Sequence, residues 1–146
     1  MRHTLLYLSF LFAIVATGCL KTTQKTQPAP TPDGTFSGQY QRFHRHNGIG
    51  PWDTLKTNLT VKFSTTDYSY MVTSATASIH ANSYGTFGIT SPYIGFTDQT
   101  YSASDTSKVA HLAGYYLYSY NGTNLTIYAT SADTLVIGYN LTKTTN

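Results

Sequence analysis

The chain of 146 residues carries a formal net charge of +3, and only 10% of its residues are charged. This fraction is far below the ~25% of ordinary soluble domains, so Ser, Thr, Asn and Gln must provide most of the hydrated surface. Nucleic-acid binding is not expected, because no group of Lys and Arg residues is dense enough to follow a phosphate backbone. The sequence contains no Glu, which removes half of the usual carboxylates for acid–base catalysis.

The first 18 residues are typical of a bacterial lipoprotein signal peptide. A short basic start at residues 1–3 precedes an apolar segment, residues 5–16, which is too short to span a bilayer comfortably. Residues 16–19 read Ala-Thr-Gly-Cys and resemble the bacterial lipobox, whose Cys becomes the acylated N-terminus of the mature chain. An ordinary signal peptide with a chance Cys is the alternative, but Cys19 is the only Cys and has no disulfide partner within the chain. We therefore predict that Cys19 is lipidated and anchors the protein to a membrane.

Residues 19–33, which run from the lipidated Cys through a Pro- and Thr-rich stretch, are predicted to form a linker. They have no apolar period, and their prolines favour an extended spacer. Leu20 stands where an Asp would resemble the inner-membrane retention signal of some bacteria, so we expect the outer membrane. No acidic run follows Cys19 such as some lipoproteins use for export to the cell surface. We therefore expect the protein to face the periplasm, with the cell surface as the alternative.

Residues 34–146 are predicted to form a single β domain, because apolar and polar residues alternate along eight short segments. The clearest alternation covers residues 55–64, where we expect a strand with one buried face. The eight predicted strands cover residues 35–42, 55–64, 68–72, 83–90, 94–96, 112–120, 125–129 and 135–141. The predicted inward-facing residues are Leu59, Val61, Phe63, Leu125, Ile137 and Tyr139, whereas Lys56 and Lys62 are expected to face solvent.

The best-defined connection is Asn121-Gly122, between the sixth and seventh predicted strands. This dipeptide readily supplies the two positive φ angles of a two-residue type I′ turn, so we expect a β-hairpin here. Most other connections are also of hairpin length, and no segment has an amphipathic helical period. The sequence therefore predicts an all-β fold, an eight-stranded antiparallel up-and-down β-barrel, with a sandwich as the second choice. The barrel is preferred because its closure leaves no exposed edge strand.

From Gly34 to Lys143 the sequence resembles a group of uncharacterised bacterial lipid-anchored proteins with a lipocalin-like β-barrel domain. The matching pieces are residues 34–38 (Gly-Thr-Phe-Ser-Gly), 59–63 (Leu-Thr-Val-Lys-Phe), 112–116 (Leu-Ala-Gly-Tyr-Tyr) and 121–125 (Asn-Gly-Thr-Asn-Leu). The Gly-x-Trp signature of the lipocalins proper is absent, with Phe36 where the Trp would stand. The resemblance implies a lipocalin-like barrel but no particular activity, because none is established for that group.

Groups suited to catalysis are scarce in the sequence. Every carboxylate side chain belongs to an Asp beside a turn signal, where Asp usually caps backbone N–H groups. These residues are Asp33, Asp53, Asp67, Asp98, Asp105 and Asp133. No nucleophile motif and no phosphate-binding loop is present, so we predict no catalytic residue, no cofactor and no enzymatic activity.

The histidines give a weak indication of a metal site. His44 and His46 alternate around Arg45, and two His at this spacing on a strand can share a face and bind a metal. The positive charges of Arg45 and nearby Arg42 disfavour a cation, however, and no acidic or Cys partner lies within the motif. We therefore predict no metal site. Ordinary solvated loop histidines are expected at His44, His46, His80 and His111.

Three tyrosines of the sixth predicted strand share a face with Leu112 and Gly114, namely Tyr116, Tyr118 and Tyr120. If this face points into the barrel, each hydroxyl needs a buried partner or a polar ligand. The interior of an eight-stranded barrel is either filled by side chains or holds one small ligand. We expect filling, because large rings in a small barrel favour it, and a ligand site is the alternative.

Loop lengths predict a binding mouth at one end of the barrel. Successive connections of a meander alternate between the two ends, so the long connections all fall at one end, at residues 44–53, 73–82, 98–107 and 131–133. The tight turns fall at the other end, at residues 64–67, 91–92 and 121–122. Because binding residues concentrate on loops, the long-loop end is the candidate mouth. Its candidate ligand- or partner-binding residues are His44, Arg45, His46, Trp52, His80, Tyr101 and His111.

Two classes of function remain. The first is a non-catalytic, monomeric lipoprotein of the envelope that binds a small apolar or amphipathic ligand at the mouth, which faces away from the lipid anchor. The second is a structural or inhibitor-like lipoprotein with a filled barrel, which presents its loops to an envelope protein. A cavity of ~300 Å³ or more favours the first class. A filled barrel with an exposed aromatic patch favours the second.

Overall fold

The computed structural model describes residues 30–45, 48–102, 108–131 and 135–145. The predicted signal peptide, the lipidation site Cys19, most of the linker and the candidate His46 lie outside these described residues. Asp105, Asp133 and parts of two predicted long connections lie outside them as well.

Eight antiparallel strands form a closed barrel in which each strand pairs with its neighbours in sequence and β1 pairs with β8. The strands are β1 (Gly34–His44), β2 (Asp53–Ser64), β3 (Ser69–Ser74), β4 (Ser83–Thr90), β5 (Tyr93–Asp98), β6 (Gly114–Tyr120), β7 (Asn124–Ser131) and β8 (Leu135–Lys143). The predicted all-β, eight-stranded up-and-down barrel is confirmed, and the sandwich is excluded. Within the described residues, no helix has the length and apolar character needed to cross a membrane.

The topology sorts the connections by length between the two ends of the barrel. The longer connections lie at one end, which we call the mouth end, at residues 45–52, 75–82 and 99–113. The shorter ones lie at the opposite end, which we call the tight-turn end, at residues 65–68, 91–92 and 121–123. Strand β1 begins and β8 ends at the tight-turn end. For these six connections the predicted segregation of long and short loops is confirmed.

Alternation of apolar and polar residues places one face of each strand inside the barrel. On β2, Leu59, Val61 and Phe63 are buried, whereas Lys56 and Lys62 are exposed, as predicted. The other predicted inward-facing residues are Leu125 and Tyr139, which are buried, and Ile137, which is half-buried near the mouth end. The periodicity of the sequence therefore predicts the core correctly.

Aromatic rings fill the half of the barrel nearest the tight-turn end. Phe63 lies at the centre of this cluster, with its ring centroid 5.6 Å from Phe36, 5.2 Å from Phe87 and 6.3 Å from Phe96. The ring of Tyr70 packs edge-on against Phe96 at 5.1 Å. Edge-to-face contacts of this kind match the positive edge of one ring to the negative face of the next. The predicted filling of the interior is confirmed for this half of the barrel.

Gly38 lies on the inner face of β1 at a point where no side chain fits. A Cβ atom added there would overlap the backbone carbonyl of Asn140 on β8. Gly38 is also the residue whose Cα pairs with Leu141 of β8. The close approach of β1 and β8 that completes the barrel therefore depends on the missing side chain.

The hairpin between β6 and β7 differs from the predicted two-residue turn. Three residues, 121–123, separate the strands, and within them positive φ is found at Gly122, with φ of 94°. The side-chain oxygen of Asn121 accepts hydrogen bonds from the backbone N–H groups of Thr123 and Asn124, at 3.0 and 2.7 Å. The predicted type I′ turn is wrong, because the Asn121 side chain stabilises the turn in place of a second left-handed residue.

Three strand boundaries at the mouth end also differ from the prediction. His44 and Asp53 were assigned to a loop by sequence, but they pair with each other as the last residue of β1 and the first of β2. The sixth strand begins at Gly114, which has φ of 93°, rather than at Leu112. Because β1 and β2 are longer than predicted, each has one more inward-facing polar residue at the rim of the barrel, His44 on β1 and Asp53 on β2.

Candidate functional site

A cavity of about 790 Å³ opens at the mouth end of the barrel. Its walls are the inner faces of β1, β2 and β8, residues 108–111 and Ala113 before β6, and Tyr116 of β6. The volume lies within the ~300–1,000 Å³ typical of small-molecule sites. Filling of the interior by side chains, predicted for the whole barrel, is therefore wrong for the mouth half, where this volume is open.

The inner face of β1 supplies three successive inward positions of the cavity wall, namely Tyr40, Arg42 and His44. They continue the alternation that buries Phe36 at the tight-turn end of the same strand. Arg42 pairs across the sheet with Ile137 of β8, which also lines the cavity. A strand that is apolar inside the core thus becomes polar and charged where it reaches the mouth.

Tyr139 and His80 form a hydrogen-bonded pair beneath this wall. The Tyr139 hydroxyl donates to Nε2 of His80 at 2.9 Å, and Nδ1 of His80 donates to the carbonyl of Ala81 at 2.8 Å. His80 is 0% exposed, and its burial lowers its pKa, so the neutral ring satisfies both contacts. The prediction of a solvated loop histidine is wrong for His80, because it forms a parallel β-bridge with Ala110 and its ring is buried against Tyr139.

Tyr40 has a buried hydroxyl with no hydrogen-bond partner among the described residues. Its ring packs against His80 at 4.9 Å and Tyr139 at 5.1 Å. Burial raises the pKa of Tyr40 to about 12, although the positive charge of Arg42 opposes the shift. The hydroxyl therefore keeps its proton at neutral pH and is an unused donor in the cavity wall.

The charged side chains of the lining are mainly basic. Arg42 is half-buried and Lys108 is exposed, and Asp53 is the one carboxylate that the described lining contains. Among the residues that the structure describes, none forms an ion pair with Arg42. Asp53 is exposed at the rim, opposite His44, where water screens its charge more strongly than that of the deeper Arg42.

His111 is fixed at the cavity by a buried carboxylate. Its Nδ1 lies 2.9 Å from Oδ2 of Asp98, whose side chain is fully buried. Burial alone raises the pKa of Asp98, but hydrogen bonds from Thr100 and His111 outweigh it, so the pKa is lowered. The Tyr101 ring packs on His111 at 5.2 Å. These contacts hold the imidazole in one orientation, and His111 is not the solvated loop histidine predicted from sequence.

The predicted mouth residues divide between the cavity and its surroundings. The guanidinium carbon of Arg45 lies 4.6 Å from the ring centroid of Trp52, but neither residue lines the cavity, and Tyr101 does not line it either. Predicted mouth residues that do line the cavity are His44 and His111.

Sequence reasoning did not name Tyr40, Arg42, Asp53 or Lys108 as site residues, although all four line the cavity. The sequence does indicate Arg42, because the alternation along β1 places it on the inner face. A charged residue at such a position is unexpected in a filled core. Lys108 lies in an irregular segment, where alternation gives no direction for a side chain.

The three tyrosines predicted to lie on the inner face of the sixth strand, Tyr116, Tyr118 and Tyr120, are all buried. The Tyr116 hydroxyl donates to the carbonyl of Ala113 at 2.9 Å, and the Tyr120 hydroxyl donates to that of Gly122 at 2.8 Å. Both hydroxyls therefore have the hydrogen-bond partner that an inward orientation requires. Of the three, Tyr116 lines the cavity.

No metal site is evident in the described part of the chain, where no group of three His, Cys, Asp or Glu side chains is arranged to hold an ion. Comparison with protein-family models, curated proteins and solved structures found no match. The cavity and its lining are thus the basis for assigning a function.

Proposed function

We propose that this protein is a non-catalytic lipoprotein of the bacterial envelope, anchored through Cys19, that binds a small amphipathic ligand in its mouth cavity. The observation that carries the proposal is the open volume of about 790 Å³ above a barrel whose other half is filled by aromatic rings. The lining combines apolar surface from Leu135, Val109 and Ile137 with polar and charged groups, which suits a ligand of mixed character.

The position of the chain ends supports a mouth that faces away from the membrane. Strand β1 begins at the tight-turn end, so the linker from Cys19 joins the domain opposite the cavity. The lipobox-like segment and Leu20 favour an outer-membrane anchor on the periplasmic side, with the cell surface as the alternative. A ligand would then enter from the aqueous side, and the protein would act as a monomer without nucleic-acid partners.

The cavity is tested by filling it in one variant and leaving it open in a matched one. Leu135→Trp places an indole in the lining, and Val136→Trp places one on the opposite face of β8. The uncharged fluorescent probe N-phenyl-1-naphthylamine should bind to wild type and to Val136→Trp, and its binding should be lost in Leu135→Trp. Equal binding by the two folded variants, or no binding by wild type, would contradict the proposal.

Partner binding is a second candidate, supported by exposed aromatic side chains outside the barrel. The exposed large side chains on β3 to β7 are Met71, Tyr84, Tyr93, Tyr115 and Tyr128. Tyr115 is 84% exposed. Such a surface is typical of interaction sites. Photo-crosslinking from position 115 in cells should trap one defined envelope protein. Tyr93→Ser should reduce that crosslink. Crosslinking to many proteins with no preferred partner would exclude this candidate.

A further inference from the structure

Resting on the proposed function, we infer that the ligand is a carboxylate-bearing amphiphile whose anionic group pairs with Arg42 inside the cavity and accepts a hydrogen bond from Tyr40. The two side chains occupy adjacent inward positions of β1, so they project from the same wall. Arg42 is half-buried and lies between Leu55 of β2 and Ile137 of β8 in the sheet register.

Arg42 supplies the charge that selects the ligand. A half-buried cation is partly removed from water, and it is stabilised when an anion lies beside it. The structure shows no ion pair for Arg42 within the residues it describes, so this charge is available to a ligand. The planar guanidinium donates two parallel hydrogen bonds to a carboxylate, a geometry that a Lys ammonium does not provide.

Tyr40 supplies a second, independent indication of a ligand. Its hydroxyl is buried without a partner among the described residues, although buried polar groups in folded proteins are nearly always hydrogen-bonded. The neighbouring hydroxyls of Tyr116 and Tyr139 already donate to Ala113 and His80. Tyr40 is therefore the tyrosine of this wall with a proton still to donate, and a carboxylate oxygen is an acceptor for it.

The remaining charges of the lining are compatible with an anion. Lys108 adds a second positive charge, which attracts an anion, whereas the negative charge of Asp53 repels one. Because Asp53 is exposed, its repulsion is screened by water, whereas the attraction at the half-buried Arg42 is screened less. Ile137, level with Arg42, and the rings of Tyr116 and Tyr139 offer apolar surface to the body of the ligand. The lining thus matches an anionic head and an apolar body.

A pair of probes with one fluorophore and different head groups tests this inference. Dansylglycine carries a carboxylate, and dansylglycinamide carries a neutral amide in its place. We expect wild type to bind dansylglycine at least ~10-fold more tightly, as one charge-assisted pair of hydrogen bonds would give. Arg42→Gln should weaken the binding of dansylglycine far more than that of dansylglycinamide and so remove the preference, and Arg42→Lys should keep part of the preference.

Tyr40→Phe removes the hydroxyl alone and should weaken dansylglycine binding several-fold, as expected for one lost hydrogen bond. Lys56→Gln, on the outer face of β2, is the matched charge control and should behave as wild type. The carboxylate inference would be overturned if wild type bound the two probes with equal affinity and Leu135→Trp bound neither. The proposed function would then still stand. If the folded wild type binds N-phenyl-1-naphthylamine but neither dansyl probe, the carboxylate inference alone fails. If it binds none of the three, the proposed function fails as well.

The length of the natural acid is resolved by a third probe of the same chemistry. Dansylaminoundecanoate carries the same carboxylate on a long acyl chain. Tighter binding of this probe than of dansylglycine would indicate a fatty acid, and weaker binding a short acid. The carboxylate inference itself requires that Arg42→Gln weaken whichever acid binds to wild type, and an undiminished affinity in that variant would overturn it.

Discussion

The Tyr139 hydroxyl and Nε2 of His80 belong to residues 59 positions apart in the sequence, yet they lie 2.9 Å apart and form a buried hydrogen bond. The bond joins β8 to the connection between β3 and β4, and it fixes the wall below the cavity. Its energetic value depends on the protonation of His80, because a protonated ring has no lone pair with which to accept the Tyr139 proton.

Stability should therefore depend on pH through His80. Burial lowers the pKa of His80 below its usual 6.5 in the folded protein, so below that pH the unfolded chain binds more protons than the folded one. The free energy of unfolding should fall from pH 7 to pH 5, by at most ~1.4 kcal/mol per pH unit for one proton. Denaturant titrations at several pH values should show a shallower slope for His80→Gln than for wild type.

The matched control for this slope is Thr73→Gln, which introduces the same side chain at an exposed position of β3. This variant should keep the slope of wild type. A slope that is unchanged in His80→Gln would show that His80 is not held neutral in the folded state.

The aromatic cluster should contribute strongly to stability. Phe63 is 1% exposed and contacts three other aromatic rings, so Phe63→Ala should lower the free energy of unfolding by ~3–5 kcal/mol. Lys62→Ala, one position away and exposed, should change it by less than ~0.5 kcal/mol. Chemical denaturation measures both values, and equal values for the two variants would place Phe63 outside the core.

Closure of the barrel should be sensitive to a methyl group at Gly38. The Cβ of Gly38→Ala meets the carbonyl of Asn140, and relief of that overlap requires backbone movement, which should cost ~1–3 kcal/mol. Gly88→Ala is the control, because its Cβ would meet no atom within 4 Å. The melting temperature should fall for Gly38→Ala and stay nearly constant for Gly88→Ala. A similar change in both would show that β1 and β8 approach less closely.

Membrane attachment should depend on Cys19. Cys19→Ala removes the acylation site that the lipobox-like segment predicts, so the protein should move from the membrane fraction to the soluble fraction, and labelling with radioactive palmitate should be lost. Thr22→Ala, in the predicted linker, should remain in the membrane fraction. A Cys19→Ala variant that still pellets with membranes, without aggregating, would contradict lipidation at this residue.

The sequence predicts the strands well because burial of one strand face imposes a local, repeating pattern. Residues 55–64 show this clearly, and the strand found there, β2, extends only two residues further towards the mouth. The turn at Asn121 was predicted less well, because its geometry depends on whether the Asn side chain or the backbone accepts the hydrogen bonds.

The cavity was harder to predict, because it depends on contacts between residues far apart in the chain. His80 is buried through Ala110 and Tyr139, and no local pattern around residue 80 indicates either partner. Whether an eight-stranded barrel is filled depends on how all inward side chains share the volume, which alternation does not describe. The inward position of Arg42 could have been predicted from the sequence, because it follows from the same alternation on β1 that buries Phe36.

The pairing of β1 with β8 has a consequence for the order in which the chain folds. The backbone N–H of Thr144 donates to the carbonyl of Thr35 at 2.8 Å, so the last strand completes a sheet that the first strand begins. Contacts of such high sequence separation pay a large loop-closure entropy before they form, which slows folding. Until β8 is available, β1 and β7 each present an unpaired edge on which another strand can add. If the chain is exported as proposed, chaperones that cover strand edges are needed most in the interval before residues 135–143 arrive.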